Sequence, residues 1–317
     1  MENNQQTPIK TTTKRKKVIF GSLIILAVLG IGAYVFWQYQ QKNIIAPTGQ
    51  QTTYAKPAAG ASAGSVQEAR QEVEQAVQEK LDAQQKAEEE AAAQAAKEAE
   101  EAAKAGKGKK VAIDPGHQGW NVDMSAKEPN APGSSEMKAK STSGASGNYS
   151  GLAEFQLNLD VSLQLRTELE KRGYEVLLTR EDNNTAISNA ERAVLSNEWG
   201  ADIYVRIHAN SSESASAQGA LTLIPSSGNP YAGSQYSASR ALAESILASY
   251  CSATEFANKG IQENDTMTGI NWSTRPVVIL EMGFMSNQHD DLKMADSAFQ
   301  IVMVQGIADG IDNYFGN

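Results

Sequence analysis

Apolar residues are distributed along this chain in four distinct ways, and each predicts a different kind of element. Residues 1–17 are polar and carry Lys10, Lys14, Arg15, Lys16 and Lys17. From Val18 to Trp37 there follow 20 residues without a charge. As a helix this run is about 30 Å long, the thickness of a bilayer's hydrocarbon core. Tyr34, Trp37 and Tyr39 stand at its end, where an aromatic belt would place them. The pattern predicts a membrane-crossing helix over 18–38. The basic cluster predicts a cytoplasmic N-terminus, with everything after residue 40 outside the cytoplasm. A cleaved leader is the alternative, but the run is long for one and no small-x-small site closes it.

Residues 39–64 are rich in Gln, Thr, Ala, Gly and Pro and read as a flexible linker. Residues 65–108 change character: up to Ala105 they are almost entirely Ala, Glu, Gln and Lys, strong helix formers. Val66, Val73, Val77 and Leu81 make a thin apolar seam that only Ala continues. A stable coiled coil needs larger residues over several heptads. The bland reading is a solvated helical spacer. The sharper ones are weak self-association through 65–105, or a regulatory helix.

From 109 to 317 the pattern alternates between short apolar runs and helical periods. Strands are predicted at Lys110–Ile113, Glu175–Leu178, Ile203–Ile207, Ala220–Ile224 and Val277–Leu280. Helices are predicted at Leu152–Arg172, Ala186–Trp199, Ser237–Tyr250 and Phe299–Phe315. This alternation predicts an α/β domain, a twisted and mostly parallel sheet with helices on both faces. Residues 120–150 are rich in Ser, Gly, Ala, Asn and Pro and fit a mobile surface loop, whether lid, substrate-binding loop or neutral insertion.

Composition narrows the chemistry. The whole chain has 28 Lys+Arg against 37 Asp+Glu, which argues against a nucleic-acid partner, since a phosphate backbone demands clustered cations. One Cys excludes an internal disulfide and a Cys-rich zinc module, and three His leave few metal sites. Ligands in open α/β sheets sit beyond the carboxyl ends of the strands. His117 follows the first strand, His208 closes another, Glu281 a third, and Glu154 begins the first long helix of the domain. Two His and a carboxylate are a usual ligand set for hydrolytic zinc, with a second carboxylate to take a proton from water. Because these residues are far apart in sequence, spacing alone leaves open that they are inert polar residues at strand ends.

The ordered motifs go further. Ile113-Asp114-Pro115-Gly116-His117, Glu154 with Leu157-Asn158-Leu159, Leu178-Thr179-Arg180, Glu191-Arg192, Ile207-His208-Ala209-Asn210, and Pro276 to Asn287 around Glu281 together resemble the zinc-dependent N-acetylmuramoyl-L-alanine amidases of the third amidase family. The resemblance covers roughly residues 110–315. It implies that His117, Glu154 and His208 bind Zn²⁺, that Glu281 is the general base, and that peptidoglycan is the substrate. The bond cut would join the lactyl group of N-acetylmuramic acid to L-alanine of the stem peptide. With the anchor, this implies a cell-membrane protein with its catalytic domain outside. The alternatives are a zinc peptidase acting within the stem peptide and a silent or restrained wall-binding module.

Departures from the family pattern are the long stretch between His117 and Glu154, Gln118 in place of Gly, and Arg206 where a small residue is common. Alternation puts Arg206 on the face of His208, to meet a substrate carboxylate or pair with a nearby acid. Asp114 is expected to orient a ligand imidazole or to form a turn before Pro115. Asn210 is expected to bond near the site or to cap its strand. Arg275 and Lys259 are candidates for the acidic stem peptide. His289 reads as a surface residue, Cys251 as a small buried one, and Met282 and Met285 as core.

Overall fold

The structure, a computed structural model, describes residues 63–316. The span expected at 18–38, the basic tail and nearly all of the linker lie outside these residues. Among the described residues no helix is long and apolar enough to cross a membrane.

Helix α1 spans Ala63–Ala105. Every side chain from Gln75 to Gln94 is exposed, Val77 and Leu81 included. Pairs one turn apart, Gln84 with Glu88 and Lys86 with Glu90, run along its surface. Such pairs add only about 0.2–0.5 kcal/mol each, so the Ala-rich composition carries most of its helicity.

The α/β domain begins with β1 (Lys110–Pro115) and continues with a small hairpin, β2 (Lys127–Pro129) and β3 (Met137–Ala139). Next come α2 (Glu154–Lys171), β4 (Glu175–Leu178), α3 (Asn189–Trp199), β5 (Ile203–Asn210) and β6 (Ala220–Ile224). The chain closes with α4 (Tyr236–Thr254), β7 (Asn258–Glu263), α5 (Thr268–Asn271), β8 (Val277–Phe284), α6 (Gln288–Ala295) and α7 (Ser297–Phe315). The main sheet has the order β4-β1-β5-β8-β6-β7. Four strands, β4, β1, β5 and β8, are parallel, and β6 pairs antiparallel to β8 while β7 pairs parallel to β6. The sheet is therefore mixed but mostly parallel.

Alternation along the strands separates two cores. Val111, Ile113, Ile203, Val205, Ile207, Val278 and Leu280 pack with residues of α2, α4 and α7 on one face. Ala112, Tyr204, Val277 and Ile279 face the other way, toward Ala193 of α3 and Ile270 of α5. Met282 and Met285 are fully buried in the first core, and Cys251 packs against its edge.

Three elements depart from the sequence reading. Strand β7 has the polar sequence Asn-Lys-Gly-Ile-Gln-Glu and lies at the sheet edge, largely exposed, so it shows no apolar alternation. Helix α6 starts at a cap in which Asn287 accepts from the backbone of His289 and Asp290, too local a signal for periodicity to find. The segment 120–150 is not a bare loop. It forms the β2–β3 hairpin and docks on the domain: Trp272 Nε1 donates to the Pro129 carbonyl at 2.9 Å, Thr268 to Asn130 at 3.0 Å, and the α3 backbone at Ala190 to Glu128 at 3.1 Å. These polar partners come from distant parts of the chain, which is why composition suggested mobility.

Candidate metal centre

The centre is assembled where β1, β5 and β8 end against the start of α2. The chain turns out of β1 at Gly116, where a Cβ would lie 2.2–2.6 Å from the His208 imidazole, so only glycine lets the two strand ends approach. His117 follows with φ 64°, an unusual backbone for a side chain that bears chemistry. Its carbonyl accepts from Arg192 at 3.0 Å, which holds the turn. Its Nδ1 lies 3.0 Å from the Thr142 carbonyl. Donation there leaves the Nε2 lone pair facing inward, 3.0 Å from Glu154 Oε1.

Glu154, the first residue of α2, is 5% exposed at its side chain. Its Oε1 lies 3.3 Å from His208 Nδ1 and accepts from Ala209 N at 3.2 Å, while Oε2 accepts from Ala145 N at 2.8 Å. Gly144 sits against it, since a Cβ there would come within 2.5 Å of Oε2. Burial alone would raise the Glu154 carboxyl, but the imidazoles of His117 and His208 set against it hold it well below the usual carboxylate range. Burial pushes His208 down to about 4, so its ring is neutral at pH 7. One ligand atom from each of His117, Glu154 and His208 lies within 4.8 Å of the others. His208 Nε2 is buried and has no hydrogen-bond partner. An anionic carboxylate, a neutral imidazole and an orphaned ring nitrogen suit a divalent cation of the zinc type.

These residues open into a cleft of about 380 Å³ whose floor includes Arg206 and His208 of β5 and Ile279 and Glu281 of β8. Glu281 is the register partner of His208. Burial, and then the Glu154 charge, push its carboxyl up to about 8. A carboxyl with that proton affinity is suited to take and return a proton near neutral pH. The hairpin supplies one wall through Lys138 and Ala139, followed by Ser141 and Thr142, and the 266–268 segment supplies another.

The four residues expected at strand and helix ends are thus brought to one cleft. Other expectations are corrected. Asp114 neither orients an imidazole nor forms a simple turn. It is fully buried and accepts from Arg192 Nη1 at 2.7 Å, Arg206 Nε at 2.7 Å, Thr179 Oγ1 at 2.5 Å and Tyr204 at 3.2 Å. Arg206 takes the pairing expected of it and also lines the cleft. Asn210 lines the cleft, and its bonds close the end of its strand: its Oδ1 accepts from Ser211 N and its carbonyl from Met285 N. Arg275 instead donates to the Asn197 carbonyl, and Lys259 lies on the exposed edge strand β7; neither lines the cleft. His289 is 56% exposed and pairs with Asp290. The sequence reading missed Lys138, Thr142, Asn189 and Thr266–Thr268, because no local pattern marks a residue that reaches the cleft from a hairpin or a connecting segment.

Known proteins agree with this geometry. The family described as N-acetylmuramoyl-L-alanine amidase, Amidase_3, matches residues 111–313. The Bacillus subtilis (strain 168) protein YqiI is 32% identical over 215 residues, which cover 68% of this chain and 89% of that protein. N-acetylmuramoyl-L-alanine amidase LytC of the same organism is 29% identical over 214 residues, 66% of this chain but only 36% of LytC. The catalytic domain of CwlV, an N-acetylmuramoyl-L-alanine amidase from Bacillus (Paenibacillus) polymyxa var. colistinus, superposes with a TM-score of 0.53 at 30% identity, covering 66% of this chain and 98% of that domain. With its ordered motifs gathered around one cleft and the family match running from β1 into α7, this chain belongs to the Amidase_3 family of N-acetylmuramoyl-L-alanine amidases.

Proposed function

We propose that the domain hydrolyses the amide between the lactyl group of N-acetylmuramic acid and L-alanine in peptidoglycan, with Zn²⁺ held by His117, Glu154 and His208. The observation that carries the zinc reading is the convergence of these three side chains around an unpartnered His208 Nε2, in the cleft that Glu281 also lines. Zinc, when bound, supplies a Lewis acid and a water acidified toward neutral pH. The chain's own residues do the rest. The Thr142 carbonyl fixes the His117 tautomer, and Ala145 N and Ala209 N hold the Glu154 carboxylate in place. Glu281 takes the proton of the attacking water and returns it to the alanine nitrogen, which leaves poorly unless protonated. Burial at the strand end supports that role, because it keeps the Glu281 proton affinity near neutral pH.

The experiment is digestion of purified peptidoglycan, with chelator and zinc add-back, followed by mass analysis of the products. Free peptides with an L-alanine amino terminus, lost on chelation and restored by zinc, are expected. Peptides with another amino terminus would replace this reading by a stem peptidase, and intact muropeptides by a silent wall-binding module.

The apolar run at 18–38 and the basic residues before it support anchorage in the cell membrane, with the domain outside the cytoplasm. The full chain should stay with membranes after an alkaline wash and its domain should be digested by protease added to spheroplasts; protection would reverse the orientation. The seam of Val66, Val73, Val77 and Leu81 supports at most weak self-association through 65–105. Sedimentation showing only monomer at high concentration would leave α1 a spacer.

A further inference from the structure

Three buried guanidinium groups surround one buried carboxylate beneath the cleft. Arg192 and Arg206 both pair with Asp114, at 2.7 Å each. Arg180 donates only to the carbonyls of Pro115, Gly116, Phe155 and Asp182 and to the Asn183 side chain. Asp160 and Asp182 stand within electrostatic reach of Arg180, so Asp114 is left to Arg192 and Arg206. Of the three arginines, Arg206 alone lines the cleft. Its other side-chain bond goes to the neutral Asn189 Oδ1, at 2.8 Å.

A second cation faces the same space. Lys138, on the hairpin strand β3, reaches across to donate to the Thr266 carbonyl, and its one carboxylate partner among the described residues, Glu136, is 3.6 Å away and more than half exposed. The carboxylates of the cleft, Glu154 and Glu281, lie at the metal end. Arg206 thus borders the metal end, within electrostatic reach of Glu281, while Lys138 enters the cleft from the hairpin. Arg206 and His208 lie two residues apart on one strand face, about 7 Å.

We infer that Arg206 and Lys138 form a subsite for a free carboxylate on the second residue of the stem peptide. The inference rests on the amidase reading above. In that substrate the residue after L-alanine is a γ-linked D-glutamyl unit, whose α-carboxyl is either free or amidated. Five bonds separate the scissile nitrogen from that carboxyl carbon, about 6 Å when extended, which matches the distance along β5. A carboxylate there meets the charges of Arg206 and Lys138, both of which line the cleft, and a carboxamide does not. A planar guanidinium on the cleft floor and a flexible ammonium on the hairpin wall suit one carboxylate, and charge-assisted bonds of this kind are about twice as strong as neutral ones.

The test uses the zinc-loaded full chain and two disaccharide-tripeptides that differ only in a D-glutamate or a D-isoglutamine at this position. The wild type should show kcat/KM about tenfold higher on the acid form. Lys138→Met should shrink that ratio to about threefold, mainly by slowing the acid substrate, and Lys138→Arg should restore it. Calorimetric binding of the two product peptides to the Glu281→Gln protein provides a readout independent of turnover, and the same preference is expected there. Equal kcat/KM on both substrates, or a Lys138→Met loss that is the same on both, would overturn the subsite while leaving the amidase reading intact. Preferential binding of the acid peptide with no cleavage of either substrate would do the reverse.

Discussion

Two carboxyl groups in this domain meet opposite fates, and both follow from what surrounds them. Asp114 is fully buried, yet Arg192, Arg206 and Thr179 outweigh the cost of burial and hold its carboxyl far below the usual carboxylate range. Its contribution to stability is complete above about pH 4 and declines only as the solution is acidified below that. Asp114→Asn would leave two guanidinium groups buried around a neutral amide. We expect a loss of about 3–5 kcal/mol in urea denaturation at pH 7; a loss below 1 kcal/mol would mean that the arginines find other acceptors. Glu281 is raised instead, to about 8. In the chelated protein its neutral form is favoured, so its own contribution to stability is complete below about pH 4.5 and is lost as pH rises through 8. Glu281→Gln removes that penalty. The variant should match the wild type near pH 4.5 and exceed it by about 4 kcal/mol at pH 8, while losing hydrolysis and retaining zinc. A pH-independent difference would show that Glu281 is not desolvated as its burial implies.

At the scale of elements, the β2–β3 hairpin is what makes a cleft out of a strand-end site. Its fixed position depends on a few long-range polar contacts, the Trp272 indole on the Pro129 carbonyl among them. Trp272→Phe keeps the ring and removes the donor, leaving that carbonyl without its partner at a cost of about 1–3 kcal/mol. Local opening should rise roughly tenfold, and trypsin should cut after Lys138 or Lys140 correspondingly faster while global unfolding changes little. Unchanged cleavage would mean that Glu128 and Asn130 hold the hairpin alone. The α3 start is secured differently, by a capping box in which Ser188 accepts from Glu191 N and the Glu191 side chain accepts from Ser188 N. That motif is local and was legible within the predicted helix over 186–199. The hairpin was not legible, because its strands are three residues each, too short to show an alternation.

For the whole domain, the metal is expected to couple the elements it touches. His117, Glu154 and His208 come from the end of β1, the start of α2 and the end of β5. A ligand that binds only the folded state stabilises it by about 2.7 kcal/mol at one hundred times its dissociation constant. For a domain of this size that is a rise of about 5–10 °C in Tm on zinc addition to the chelated protein. In calorimetry, an equal rise in the His208→Ala variant would place the ion elsewhere, and no rise in the wild type would mean that the folded domain does not hold zinc.

Much of this was present in the order of residues. The alternation of apolar runs and helical periods specified a mostly parallel α/β sheet, because each strand and helix carries its own periodicity. His117, Glu154, His208 and Glu281 stood out as candidates because each sits at the end of such an element, where a parallel sheet delivers side chains to one edge, and their roles came from the resemblance of the ordered motifs to the amidase family. Three things depended on tertiary structure alone. The polar strand β7 and the reversed β6 depend on neighbours at the sheet edge rather than on any local pattern. Asp114 meets arginines from α3 and β5 rather than an imidazole, which only the register of β1 against β5 brings about. The cations that enter the cleft are Arg206 and Lys138 rather than Arg275 and Lys259, because exposure of a charge to a cleft is set by which distant segments pack around it. Local periodicity is written residue by residue, whereas the company a side chain keeps is decided only when the chain closes on itself.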